Sequence, residues 1–312
     1  MTPKILIIAG PTASGKKKIA LEAAERFNGE IISADSRKVY RYLDIGTAKP
    51  NAEARARIPH HLIDIVDPDE PFNCGEWVIR ASEAARDIIA HGKLPVISGG
   101  TGFYIKAFIH GLSEGINADE NVRETLKREL DETGAPALHA RLSAIDPQRA
   151  SELHKNDSFR IMRALEVYYS TGKTFTEFCE EKIIKGGDYD YLHIGVEKKR
   201  TELYRCVDSR VDVMVSAGLV DELKSVLSRG YRRDLTALDT VGYKEWFGFL
   251  DGEMTFEECL VKAKADSRRY AKRQTTWFRA MKDVRRIDPD VPGAVDAVFS
   301  DVEKWLGRTN SS

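Results

Sequence analysis

Long apolar runs, paired cysteines and net charge are all missing from this chain of 312 residues. No stretch of eighteen apolar residues occurs, so a membrane-spanning helix is not expected. Met1-Thr2-Pro3 leads directly into a short apolar stretch, without the basic, apolar and small-residue order of a secretory signal, and a cytoplasmic protein is the expectation. The four cysteines, Cys74, Cys179, Cys206 and Cys259, lie far apart, with no C-x-x-C pair and no following histidine cluster at zinc spacing. They read as reduced packing residues, and no structural metal follows from them. Lys and Arg number 48 against 49 Asp and Glu, and the formal net charge of −1, taken as an average, carries no sign of a nucleic-acid partner. What is present is the composition of a globular protein: 42% hydrophobic and 31% charged residues bury a sizeable core under a solvated surface and exclude disorder as the main state. Because single cores stop growing at roughly 250–300 residues, the length points to one large domain with an insertion, or to two domains.

Lys4-Ile5-Leu6-Ile7-Ile8-Ala9 is a short run rich in branched residues, ended by Gly10-Pro11, and reads as a strand buried on both faces. Similar runs recur at Glu30–Ala34, His61–Ile65, Leu94–Ser98 and Leu192–Val196, with helix-length amphipathic segments in most intervals. Such alternation predicts an α/β fold with a parallel sheet flanked by helices. From about Ile116 to Lys185 helix formers dominate and no strand is evident, which predicts an inserted all-helical domain, 116–186, within a core domain made of 1–115 and 187–312. After Glu197 the pattern is helical to about Lys282, followed by a short strand at Val284–Ile287 and a last helix near Val291–Leu306.

Gly10-Pro11-Thr12-Ala13-Ser14-Gly15-Lys16 follows the first strand and opens the first helix, the context that a phosphate-binding loop requires. Successive backbone N–H groups in such a turn form an anion-sized concavity, the helix N-terminus adds its positive end, and the Lys16 ammonium reaches outer phosphates. A chance G-x-x-x-x-G-K match is the alternative. Lys16, Lys17 and Lys18 also sit where a helix dipole disfavours cations, a penalty that a bound polyanion offsets. The motif ordinarily has Ser or Thr after its Lys, whose hydroxyl ligates Mg²⁺; here Lys17 occupies that place. An ammonium cannot ligate a metal, so Lys17 either supplies part of the metal's charge, weakens metal-dependent turnover, or is simply solvated.

Asp35 follows nineteen residues after Lys16, in Ser33-Ala34-Asp35-Ser36-Arg37-Lys38-Val39-Tyr40, at the carboxyl end of the second strand, the rim where open α/β sheets bind ligands. Together with Asp44–Pro50, His60–Asp64, Ser98–Tyr104, Asn156–Glu166, Leu219–Leu223, Val241–Trp246 and Arg269–Arg279, this resembles the tRNA dimethylallyltransferases, also called tRNA isopentenyltransferases, of the bacterial IPP transferase type. The resemblance covers nearly the whole chain and implies a P-loop NTPase-like core. It further implies transfer of the dimethylallyl group of dimethylallyl diphosphate to the exocyclic amine of the adenosine 3′-adjacent to the anticodon, with release of diphosphate. Gly10, Pro11, Thr12, Ala13, Ser14, Gly15, Lys16 and Lys17 would then hold the donor's diphosphate. Asp35 would be the general base, Thr101 a hydrogen-bonding group at the reacting centre, and Lys16 and Arg210 the cations that neutralise the leaving group. For Asp35 a capping or metal-shell carboxylate, for Thr101 a tight turn, and for Arg210 an ion pair with Asp208 or Asp212 are the structural alternatives. Asp35, Ser36, Arg37, Lys38 and Thr101 would meet the flipped base and its neighbours, and Arg123, Phe159, Arg160, Ile161, Met162 and Arg163 the anticodon stem-loop. His60-His61 reads as structural rather than metal-binding.

The implied cofactor is Mg²⁺, with no ligand residue assignable, and the implied protein is a monomer that does not touch a membrane. Four positions depart from the family pattern: Lys17 for Thr or Ser, Lys38 for Gln, Cys206 for Arg and Phe159 for Gln. If Lys17 compensates for Cys206, positive charge is kept while Mg²⁺ coordination is lost, and a weak Mg²⁺ dependence is the expectation. Adenylate isopentenyltransferase, a P-loop kinase and a degenerate tRNA-binding paralogue are the competing readings. The charge average also hides a pattern. Between Lys262 and Arg286, ten Lys and Arg face Asp266 and Asp283, a local +8 interleaved with Tyr270, Trp277 and Phe278. Such a stripe is the footprint of RNA-backbone binding and predicts salt-sensitive tRNA affinity, with some arginines merely lining the core surface.

Overall fold

A computed structural model describes residues 2–113, 119–181 and 183–307. They divide into two compact units, one made of Met1–Lys106 with Gly186–Ser312 and the other of Ala107–Lys185.

The first unit is built on six strands: β1 (Lys4–Ala9), β2 (Gly29–Ala34), β3 (His60–His61), β4 (Leu94–Gly99), β7 (Asp190–Val196) and β8 (Arg285–Ile287). They form one wholly parallel sheet in the order β3-β2-β4-β1-β7-β8. Helices α1 (Lys16–Arg26), α2 (Ala52–Arg57), α3 (Cys74–Ala90) and α4 (Gly102–His110) follow the first four strands, with α4 running on into the second unit. After β7 come α10 (Arg200–Ser216), α11 (Leu219–Ser228), a 3₁₀ turn at Lys244–Trp246, α12 (Phe247–Leu250) and α13 (Phe256–Ala280); α14 (Ala294–Leu306) follows β8. The apolar run of β1 is buried on both sides because helices cover both faces, as a parallel sheet demands. One core joins Leu6, Ile8, Ile31, Val96 and Ile194 of the sheet to Phe27 and to Val298 and Phe299 of α14. A second joins Val211, Leu223, Tyr243, Trp246 and Cys259 around the helices after β7. Each fully buried large side chain of this kind contributes about 1.5–3 kcal/mol.

Register is what builds the site. Ala9 of β1 and Ala34 of β2 both pair with Gly99 of β4, so the chain leaves three adjacent strands at one level, and Gly10, Asp35 and Gly100 emerge side by side. Gly99 must be glycine, because a Cβ there would lie 1.9 Å from the Ala34 carbonyl oxygen.

Two expectations need correction. The third strand stops at His61 rather than Ile65, because Leu62 and Asp64 have positive φ and Asp64 turns to hold Lys49 and Arg55. The helical segment is also bounded by a short antiparallel pair, β5 (Leu112–Ser113) with β6 (Ile183–Ile184), where the sequence showed no strand before Lys185. Between them lie α5 (Glu120–Thr133), α6 (Ala135–Ile145), α7 (Pro147–Ser151), α8 (Ser158–Thr171) and α9 (Phe175–Glu181). Leu126, Leu138, Leu142, Ile161 and Leu165 make the core of this second unit.

Candidate active site

The turn from β1 into α1 has the geometry of an anion cradle. Gly10 packs so closely that a Cβ would meet the Val196 carbonyl oxygen at 2.2 Å, and its N–H donates to Gly99 O at 3.4 Å. Ala13 and Gly15 have φ of 61° and 93°, which turn the chain back on itself. Gly15 caps α1 without any side-chain acceptor, so the first-turn amides are left for an external partner. The Ser14 hydroxyl is buried in this turn and has no partner among the described residues. Pro11 O accepts from the Lys16 ammonium at 3.0 Å, which folds that side chain over the loop. Thr12 N–H donates to Gln274 Oε1 and Gln274 Nε2 donates to Gly100 O, both at 2.8 Å. One buried amide of α13 thus ties the phosphate loop to the glycine loop after β4. Gln274 was not singled out as a site residue, because its partners are backbone atoms far away in sequence.

Five of the sequence-selected cations gather in the pocket beside this loop: Lys16, Lys17, Arg37, Lys38 and Arg210, all lining it with Asp35. Their burial, and after it their crowding, is visible in their acidities. Burial, reinforced by Arg210 and Lys38 and opposed by Asp35, pushes Lys16 down to about 7. Burial also brings Lys38 to about 8, with Asp35 opposing and Arg210 adding to the fall. Lys17 is lowered by partial burial and Arg210, and Arg210 itself by burial against the pull of Asp35. Arg210 forms no ion pair among the described residues, since Asp208 takes Arg268 and Asp212 takes Lys264, each at 2.6 Å. The alternative of a surface ion pair is therefore removed. Cations held together without matching acids await an anion carrying several negative charges.

Asp35 is oriented rather than neutralised. Its Oδ1 accepts from the N–H groups of Arg37 at 3.0 Å and Lys38 at 3.4 Å, an Asx turn, and Oδ2 has no hydrogen-bond donor among the described residues. Thr101 Oγ1 accepts from Ser36 N–H at 3.0 Å, which links the Asp35 turn to the start of α4 and leaves its own proton to donate. Arg37 is anchored on Thr236 O at 2.5 Å. Tyr270 of α13 lines the same pocket, its phenol raised to about 12 by burial first and by Asp35 second. The lining also holds apolar side chains, among them Ile63, Val207, Val211, Met214 and Val241. One pocket thus offers cations for a polyanion and apolar surface for a small hydrocarbon.

The remaining selected residues lie in the second unit. Arg123 and Arg163 both bind Glu166, at 2.7 and 2.8 Å, and Arg160 binds Asp157 at 2.5 Å. Phe159 is 80% exposed. Ile161 needs correction as a contact residue: its side chain is fully buried in this unit's core, and Met162 packs against the same cluster. His60 and His61 are engaged structurally, with Ile58 O and with Glu30.

Residues 38–281 match the profile of IPP transferases. The chain is 43% identical over 304 residues to the tRNA dimethylallyltransferase of Geobacter sulfurreducens, covering 97% of each. It is 47% identical over 285 residues to tRNA dimethylallyltransferase 2 of Geotalea uraniireducens, covering 91% of this chain and 92% of the relative. This chain belongs to the IPP transferase family. Among solved structures, the full-length tRNA isopentenylpyrophosphate transferase of Bacillus halodurans superposes with a TM-score of 0.72 at 40% identity, covering 98% of this chain and 97% of that one. A eukaryotic dimethylallyltransferase acting on tRNA superposes with a TM-score of 0.82 at 27% identity, covering all of this chain and 81% of that one. The family's sheet, with a phosphate loop at its carboxyl rim, is thus the sheet described above.

Proposed function

We propose that this chain transfers the dimethylallyl group of dimethylallyl diphosphate to the exocyclic amine of the adenosine 3′-adjacent to the anticodon in tRNA. The observation that carries this reading is the half-free Asp35 carboxylate beside the cation cluster of the phosphate loop. The diphosphate sits on the loop amides with Lys16, Lys38 and Arg210 around it, and the five-carbon group lies against apolar side chains of the lining. The amine nitrogen attacks the allylic carbon, the carbon–oxygen bond to diphosphate breaks, and Asp35 Oδ2 takes the amine proton. Lys16 and Arg210 stabilise the departing anion, and fixed charges aimed at developing charge are the largest catalytic contribution. Thr101 donates its hydroxyl proton to the acceptor or the diphosphate. The adenine must leave its stack to arrive there.

The anticodon stem-loop is the proposed partner, met by Ser36, Arg37 and Lys38 in the core unit and by Arg123, Phe159, Arg160 and Arg163 in the helical one. RNA phosphates would exchange with Glu166 and Asp157 for those arginines. The protein acts as a cytoplasmic monomer in this proposal; among the described residues no helix is long and apolar enough to cross a membrane. Labelled dimethylallyl diphosphate offered with unmodified tRNA or with AMP tests the reading: label on tRNA is expected. Label on AMP would identify an adenylate isopentenyltransferase, ATP turnover without label a kinase, and tRNA binding without transfer a degenerate paralogue.

Mg²⁺ fits this site poorly. The position that would offer a hydroxyl is the Lys17 ammonium, which has no lone pair to give. Among the described residues no group of three or more His, Cys, Asp or Glu could hold a metal ion. Lys17 therefore supplies charge at the diphosphate where a metal otherwise would, and the single-turnover rate is expected to depend only weakly on Mg²⁺. Lys17→Thr should make that dependence steeper. A steep requirement in the wild type, or an unchanged one in Lys17→Thr, overturns the proposal.

A further inference from the structure

Three sequence blocks that the proposed chemistry leaves unused meet on one carboxylate. Glu222 stands in the first turn of α11. Its Oε2 accepts from the N–H groups of Asp44 and Ile45, both at 2.8 Å. Its Oε1 accepts from Gly46 N–H at 3.1 Å and from the Tyr243 hydroxyl at 2.6 Å. Tyr243 is fully buried, and its ring lies against Gly46 so tightly that a Cβ there would come 2.3 Å from Cζ. The two segments gripped in this way, Gly46–Pro50 and Thr240–Tyr243, line the pocket with every residue but Lys49, the hydroxyl-bearing Thr47 and Thr240 among them. The basic residue within this wall is turned away from the pocket: Lys49, buried, donates to Tyr40 O, Asp44 and Asp64. One carboxylate taking four donors is far more than packing requires, since a charge-assisted hydrogen bond is stronger and geometrically stricter than a neutral one.

We infer that Glu222, with Tyr243, is a positioning residue of the donor site, holding this wall at the distance from Asp35 that keeps the transferred group in line with the attacking amine. The inference rests on the donor reading above. Glu222 touches no reacting atom; it acts through the loop amides. Gln in its place keeps the shape but turns an amide N–H toward at least one backbone N–H, so the wall loses at least one of its bonds and the negative charge that strengthens the others. Tyr243→Phe removes one hydroxyl and leaves the ring on Gly46.

The test measures steady-state and single-turnover transfer with dimethylallyl diphosphate and unmodified tRNA, with the active fraction titrated for each variant. Glu222→Gln is expected to lower kcat/KM for the donor by roughly 10²-fold, the effect of an ångström of misplacement, with a raised donor KM, an unchanged tRNA KM and an unchanged active fraction. Tyr243→Phe should show the same split at about tenfold, and the double variant should fall short of the product of the two, because they share one bond. If Glu222→Gln does not fold, Tyr243→Phe carries the test alone. A Tyr243→Phe enzyme within about twofold of wild type on donor kcat/KM, or losses that come wholly from the active fraction, overturns the inference. A wild-type chain that transfers nothing takes down the donor reading and this inference together, whereas a wild type that transfers beside silent variants overturns the inference alone.

Discussion

Asp35→Asn is expected to lower the single-turnover transfer rate by about 10²–10⁴-fold, the usual contribution of a positioned general base, while tRNA affinity stays at the wild-type level. The substitution is chosen for what it keeps. Asn Oδ1 accepts from Arg37 and Lys38 N–H as Asp Oδ1 does, so the Asx turn, the Ser36–Thr101 link and the pocket outline survive. What is lost is the free, basic Oδ2. Removing the carboxylate also takes away a negative charge that opposes the loss of protons from Lys16 and Lys38, so donor affinity is not expected to follow a simple gain in positive potential. Asp35→Ala removes the turn as well and should lose turnover to at least the same extent. Full activity in either variant, read in single-turnover assays at saturating donor, refutes the assignment of the base. A loss of tRNA binding in Asp35→Asn would show the carboxylate to be an RNA contact first.

The parallel core and its rim were readable because their causes are local. A branched apolar run, a glycine turn and a lysine at the head of a helix are adjacent in sequence, and φ of 93° at Gly15 is what such a turn demands of glycine. Asp35 was readable for the same reason, since it sits one residue past a strand and its Asx turn is closed by residues two and three further on. Gln274 and Glu222 were not readable in their roles. Apart from the Tyr243 hydroxyl on Glu222, their partners are backbone amides and carbonyls more than 170 residues away, and backbone groups look alike in any sequence. His61–Ile65 shows the opposite error: a short apolar run that reads like a strand leaves the sheet after His61, where Leu62 and Asp64 have positive φ and Asp64 serves two cations.

The basic stripe between Lys262 and Arg286 was legible as composition but not as free charge. Lys264, Arg268, Arg269, Arg279 and Arg285 each pair with an acid, from Asp212, Asp208, Asp266, Glu197 and Asp301 in turn. Arg286 spends its guanidinium on the carbonyls that end α13. Lys262, Lys272, Arg273 and Lys282 keep their charge unpaired among the described residues. Salt-dependent tRNA binding is still expected, with a slope on this face set by about four phosphate contacts rather than ten.

Removing the Lys16 charge should abolish useful turnover and yet stabilise the free protein. Lys16→Met is expected to reduce kcat by about 10²–10³-fold, the scale found when one preorganised group is taken from a developing anion. Stability moves the other way. In the free site burial, Arg210 and Lys38 hold Lys16 at about 7, against an ordinary lysine value of 10.5 in the unfolded chain. A base whose folded value is depressed binds fewer protons in the native state, so its charged form destabilises the fold. That penalty is complete below pH 7, shrinks as pH rises from 7 toward 10.5, and is relieved above it. Lys16→Met, which keeps the length and loses the charge, should therefore raise the thermal midpoint at pH 6.5 and show a smaller gain at pH 9.5, measured without donor. Donor binding reverses the sign, because an arriving diphosphate restores the proton. Wild-type donor affinity should fall as pH rises through 7 to 8, where Lys16 and then Lys38 lose charge, and calorimetry in buffers of different ionisation enthalpy at pH 8 should record proton uptake. A pH-independent donor affinity across that range, or a Lys16→Met protein destabilised at pH 6.5, would show that the cations are not strained against one another in the free site. The strain is the functional point: a pocket that is uncomfortable empty binds tightly the one ligand class that relieves it.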